Sequence, residues 1–169
     1  MADDIIKQAS DKAAEAVTFG GCSQAVLGAL QEVLGIGNGE SYRAGTVLAA
    51  GIAKRGETCG ALIGALMALG IARGRSTKSD KQAYSRAMDD AQDVIDAFKA
   101  GIEQHYNASE PLKDTMCPSL QEKAFGRSFD FFDPADREAF FSGGGYAPNG
   151  CPTVCAIAAA AAARKILES

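Results

Sequence analysis

Strand signals are what this chain has least of. Alternating runs of Val, Ile, Thr and aromatic residues are scarce in its 169 residues, whereas Ala, Leu, Met, Lys, Gln and Glu abound. Without a period of two a sheet has no face to bury, so the pattern argues against a β fold and for helices. Histidine is nearly absent, His105 being the only one. That excludes a zinc site of two cysteines and two histidines, and any Cys–His nucleophilic pair would have to use His105. Long apolar runs are missing too. The longest, Val154 to Ala163, is mostly alanine and falls far short of the ~20 residues that cross a bilayer. Positive charge is not in excess: 17 basic against 21 acidic residues leave a net charge of −4. No basic stripe appears, which argues against nucleic acid as a partner. The acidic start, with Asp3 and Asp4, is the reverse of a secretory leader. These absences predict a reducing, cytoplasmic setting with no membrane. There, five cysteines read as ligands or catalytic thiols rather than as a disulfide framework, which an odd number also fits poorly.

What is present suits one all-α domain, residues 1–169. Apolar residues make up 47%, enough for a single core in a chain of this length. A first helix is predicted over Asp3 to Phe19, stopped by Gly20 and Gly21, and a second over Ser23 to Leu34, stopped by Gly35. A third is expected from Ser41 to Lys54, with Ser41 as its N-cap. The fourth, Cys59 to Arg73, is apolar almost all round, which marks a buried central helix. Its Gly60 and Gly64 lie four apart and let another backbone come close. The longest helix, Asp80 to Tyr106, carries Tyr84, Met88, Ala91, Ile95, Phe98 and Ile102 at helical spacing. Residues 107–150 differ: they hold four of the five prolines and seven of the twelve aromatics. They read as a cap over the bundle, with short helices after Pro118 and after Asp133-Pro134. A last helix covers Cys151 to Leu167.

The informative pattern is where the thiols fall. Cys22 follows two glycines and opens a helix. Cys59 follows Gly56, Glu57 and Thr58 and opens another. Cys117 precedes Pro118, and Cys151 precedes Pro152, proline being favoured in the first turn of a helix. Four cysteines therefore sit beside four predicted helix N-termini. Unpaired N–H groups and the positive end of the helix dipole stabilise negative charge there. Thiols so placed are expected to have lowered pKa values and to be better nucleophiles and ligands. The same N–H groups can hydrogen-bond the sulfurs of an iron–sulfur cluster. Cys155, one turn after Cys151, reads as an extra ligand, a redox partner of Cys151, or plain core.

The segment RGETCGALIGALMALG, residues 55–70, resembles the signature of the C_GCAxxG_C_C family of redox-active proteins, with Cys-Gly-Ala here where the family label writes Gly-Cys-Ala. Cys22-Ser-Gln-Ala-Val resembles its N-terminal cysteine helix, and Cys117-Pro-Ser-Leu and Cys151-Pro-Thr-Val resemble its later elements. The resemblance runs from about Gly21 to the C-terminus. It extends to part of the split-Soret cytochromes, and so implies an iron–sulfur cluster, with a 2Fe–2S type among the candidates. Haem does not carry over, because C-x-x-C-H is absent.

Other features read as structural. His105 reads as a helix-end or surface residue, and the acidic stripe Asp89, Asp90, Asp93 and Asp96 as a solvated face. Gly143, Gly144 and Gly145 read as a flexible hinge near Cys151. Phe125, Phe129, Phe131, Phe132, Phe140 and Phe141 read as packing of cap on bundle, able to shield a cluster from water. Three functions follow. The first is electron transfer through an iron–sulfur cluster held by Cys22, Cys59, Cys117 and Cys151, exchanging electrons with a redox protein partner. The second is metal-free thiol–disulfide chemistry. The third is a non-catalytic module with zinc held by the same four cysteines. The small-residue helix faces would also allow a homodimer.

Overall fold

The computed structural model describes residues 1–168. It is all-α, with eight helices and no strand among the described residues. In chain order they are α1 (Ala2–Ala16), α2 (Cys22–Leu34), α3 (Gly39–Ala44), α4 (Gly60–Arg73), α5 (Lys81–His105), α6 (Cys117–Phe125), α7 (Pro134–Ser142) and α8 (Cys151–Leu167). Local chemistry sets their ends. Asp3 and Asp4 lie in the first turn of α1, where negative charge offsets the helix dipole. Gly35 ends α2 in the left-handed conformation at φ 64°, which glycine takes without a side-chain clash. The Asp80 carboxylate accepts from Ala83 N–H at the start of α5. The Asp133 carboxylate accepts from Ala135 N–H at the start of α7, one residue before Pro134.

The centre of the bundle is α8, which packs on α1, α2, α4 and α5. Its Cys155, Ala158, Ala159, Ala162 and Ala163 are fully buried. Small side chains here let four helix backbones approach. The sequence had placed α4 at the centre; instead Gly70, Ile71 and Ala72 at its far end face outward. The small face of α4 does lie against another backbone. A Cβ on Gly64 would stand 2.3 Å from the Ser23 carbonyl oxygen, and one on Gly60 would stand 2.5 Å from the Cys22 sulfur. Ser23 is itself buried and donates its hydroxyl to the Gly45 carbonyl at 2.7 Å, so the close contact leaves no polar group unpaired.

Two expected elements differ. The third helix does not run to Lys54. It stops at Ala44, gives one 3-10 turn over Thr46–Leu48, and then turns left-handed. Ala50, Gly51, Ile52, Ala53 and Lys54 have φ of 54°, 68°, 58°, 51° and 68°. L-residues pay about 1–2 kcal/mol each for this conformation, so propensity alone would not choose it. Hydrogen bonds that close the turn on itself hold it: Ala53 N–H donates to Val47 O at 2.8 Å, and Glu57 N–H to Gly51 O at 2.9 Å. The second difference lies in α5. Val94, Phe98 and Ile102 are buried, but Tyr84 and Met88 are about half exposed, at 48% and 47%. No other helix covers that first part, and Arg75 lies over the Tyr84 ring.

Residues 107–150 form the expected cap, with α6 and α7 inside it. Its core is an aromatic cluster around Phe140. Phe125, Phe129, Phe131, Phe141 and Tyr146 all meet that ring with centroids between 5.0 and 5.8 Å apart, mostly edge-on, as ring quadrupoles prefer.

Three substitutions test this packing. Gly64→Ala should destabilise by about 1–3 kcal/mol, because its Cβ meets fixed backbone. Gly70→Ala, with nothing within 4 Å, should stabilise by roughly 0.5–1 kcal/mol. Ala53→Gly should stabilise by about 1 kcal/mol by relieving the left-handed turn. Chemical denaturation midpoints of the three variants would check all of these.

Candidate functional site

All four cysteines singled out in the sequence do begin helices. Cys22, Cys117 and Cys151 are the first residues of α2, α6 and α8, and Cys59 is the N-cap of α4. The chain brings them together by specific means. Thr58 and Met116 form an isolated antiparallel bridge. In it Cys59 N–H donates to Thr115 O and Cys117 N–H to Glu57 O, both at 2.8 Å. These two bonds clamp the start of α4 beside the start of α6. The missing side chain at Gly60 leaves room for the Cys22 sulfur. Cys151 is held by its N–H donating to Gly145 O at 3.0 Å. Tyr106 steadies the approach to it by donating its hydroxyl to Asn149 O at 2.9 Å.

All four line one cavity of about 580 Å³, and Cys155 lines it too. Cys155 is therefore part of the cavity wall and fully buried in the core. All five are free thiols. The opposite wall comes from the cap, with Phe125, Phe131, Phe132, Phe140 and Phe141. Phe129 supports these rings from behind through Phe125 and Phe140.

The electrostatics overturn one expectation. Helix N-termini do not lower the thiol pKa values here. Burial pushes Cys59 up to about 12, with the neighbouring Cys22 adding to the rise. Burial also raises Cys22, and it raises Cys117 and Cys151, each pushed further by the other thiols. Cys155 is raised well above an ordinary thiol for the same reasons. The N–H groups act in the expected direction but are outweighed. Ala61 and Leu62 N–H face the Cys59 sulfur, although no full capping bond forms. Ala50 and Ala61 N–H face the Cys22 sulfur. A few amide dipoles cannot offset the loss of water around five potential anions in one apolar space.

The remaining candidates resolve simply. His105 is exposed and bonds the Asn149 side chain at 2.7 Å. Asp90 and Asp93 pair with Arg73 and Lys165, so the acidic stripe is partly an ion-pair network. In the Gly143–Gly145 run, one residue has a packing role. Gly145 is buried under Phe140, whose ring would lie 2.3 Å from an added Cβ, so the glycine is there for contact.

Three cavity features had no signal in the sequence. The left-handed turn at Ala50–Lys54 supplies an amide to Cys22. Gln121 is buried in the wall, 3% exposed. Tyr146 reaches the thiols closely enough for Cys151, Cys22 and Cys155 to help burial raise its phenol to about 12. A Tyr one position past a Gly-rich run was the only hint of the last.

Such thiols stay protonated near neutrality and are poor nucleophiles. A bound metal would reverse this, since its charge deprotonates a coordinating thiol outright. No curated protein and no solved structure matches the chain. The family described as "Putative redox-active protein (C_GCAxxG_C_C)" matches residues 21–166. That span runs from the glycine before Cys22 almost to the end of α8 and contains the whole thiol cavity, and the chain belongs to the C_GCAxxG_C_C family of redox-active proteins.

Proposed function

We propose that this redox-active protein carries an iron–sulfur cluster on Cys22, Cys59, Cys117 and Cys151 and exchanges electrons through it with a partner protein. The observation that carries the reading is the meeting of four helix-start cysteines, from four separate segments, in the wall of one cavity. Four thiolates complete the usual ligand set of a two-iron or four-iron cluster. Such a cluster would supply one-electron chemistry at the cavity. The chain's own groups would then set its properties. Ala50, Ala61 and Leu62 N–H would donate to the ligand sulfurs, and the phenylalanine wall would limit water.

Two rival readings are less well supported. Among the described residues, no three His, Cys, Asp or Glu side chains are placed to hold a single metal ion, whereas a cluster shares its four thiolate ligands among two or more irons. Metal-free thiol–disulfide catalysis needs a thiolate near neutrality, and burial works against one at every cysteine here.

The test is anaerobic purification. The protein should be brown, with visible absorbance bleached by dithionite and matching amounts of iron and sulfide. Cys59→Ser or Cys117→Ser should lower bound iron by at least about tenfold, while Cys155→Ala should keep it. A colourless protein with about one zinc, or one with no metal and a redox-dependent thiol count, would overturn the reading.

Metal-free protein should show a second signature. The folded pKa of each cysteine lies above that of an unfolded thiol, 9.0, so above that pH the native state binds more protons than the unfolded one. The stability this gives is complete below about pH 9 and is lost as pH rises through about 12 for Cys59. Denaturation midpoints should fall over that range. Iodoacetamide should react far more slowly with the folded chain than with the denatured one at pH 7.5.

A further inference from the structure

The cavity is larger and better furnished than four thiols need. About 580 Å³ lies within the ~300–1,000 Å³ of small-molecule pockets. Its polar lining is one-sided. Among the described residues of that lining, Lys54 and Arg137 are the only Lys or Arg, and no Asp or Glu is present. Neighbouring Arg127 is committed to Asp136. Lys54 and Arg137 make no ion pair among the described residues, and both are exposed. This holds in a chain whose net charge is −4.

Gln121 gives the independent pointer. It is 97% buried by its 3% exposure and lines the cavity. Its Oε1 accepts from Phe129 N–H at 2.9 Å, which fixes the amide orientation, since an N–H donor must face oxygen. Its Nε2 then has two protons and no acceptor among the described residues. No buried side-chain nitrogen or oxygen is left sealed without a partner, so Nε2 opens on the cavity. Tyr146 adds a phenol with no acceptor among the described residues, at the thiol end. Gln121 Nε2, Lys54 and Arg137 are thus donors without a partner among the described residues, set among phenylalanine rings. Phe132 and Phe141, at 64% and 51% exposure, keep one side open to solvent.

We infer that this cavity binds a small aromatic or aliphatic monoanion, such as an arylcarboxylate, with its acceptor group on Gln121 Nε2, its charge offset by Lys54 and Arg137, and its apolar body on the phenylalanine wall beside the thiols. The inference rests on the redox reading for the ligand's role as a redox substrate or effector, and not for its binding. A cationic ligand would meet Lys54 and Arg137 with no carboxylate in the lining to offset them, and a purely apolar one would leave Gln121 unpaired, which costs affinity.

The experiment titrates benzoate into the full-length, anaerobically purified chain and follows the ligand by saturation-transfer NMR, with benzylammonium and benzyl alcohol as comparisons. Iron is measured on the same samples. Benzoate should bind at least about tenfold tighter than benzylammonium, the worth of one charge-assisted hydrogen bond. Lys54→Gln with Arg137→Gln should remove most of that preference and leave benzyl alcohol unchanged. These two side chains make no bonds in the fold, so their loss should not move the melting curve. Gln121→Leu should weaken benzoate by about tenfold. The inference is overturned if benzoate binds no better than benzylammonium, or if neither variant changes its affinity. Benzoate binding by iron-free protein would leave this inference standing and count against the cluster; iron-replete protein without benzoate selectivity would sink this inference alone.

Discussion

Close approach of backbones is the constraint on which this molecule depends. A run of mostly alanine side chains lets α8 touch four helices at once, and two glycines let α4 press against the start of α2. Helices that meet this closely bring their ends together as well. The thiols sit at those ends, so the same contacts that form the core also assemble the cavity. A larger residue at Gly60 would strike the Cys22 sulfur itself. Core packing and site geometry are one problem in this fold.

The price of that arrangement is desolvation. Five thiols share a space walled by phenylalanine and alanine, and at Cys59, Cys117, Cys151 and Cys155 neighbouring thiols add to the rise that burial causes. The metal-free site therefore holds protons rather than charge. Positive charge is scarce at the thiols themselves, and the nearest cations among the lining residues lie on the left-handed turn and on α7. Chemistry that needs thiolates must bring its own cation, whereas chemistry that needs neutral donors finds them ready.

Much of this was legible in the sequence, for identifiable reasons. Glycine and proline punctuation marked helix ends well: Gly20-Gly21, Gly35, Pro118, Pro134 and Pro152 all bound helices where expected. Because four cysteines stood beside that punctuation, their placement at helix starts followed. What failed depended on bonds and burial that helix and strand periods do not record. The left-handed turn at Ala50–Lys54 opposes single-residue preference and is closed by bonds of its own, Ala53 N–H to Val47 O and Glu57 N–H to Gly51 O. The sign of the thiol pKa shifts came from burial, which no local pattern records. The exchange of α4 for α8 as the central helix arose because an alanine tract looks bland in sequence but packs most closely. Gln121 and Tyr146 entered the cavity from a cap whose path the sequence left open.

The short bridge between Thr58 and Met116 has a consequence for how the site fills. Its two bonds hold Cys59 and Cys117 side by side whether or not anything occupies the cavity. Half of the thiol set is thus prepaid in entropy. Cys22 and Cys151 open α2 and α8, and the Cys151 N–H is tied to Gly145 O. An incoming group would find Cys59 and Cys117 already paired.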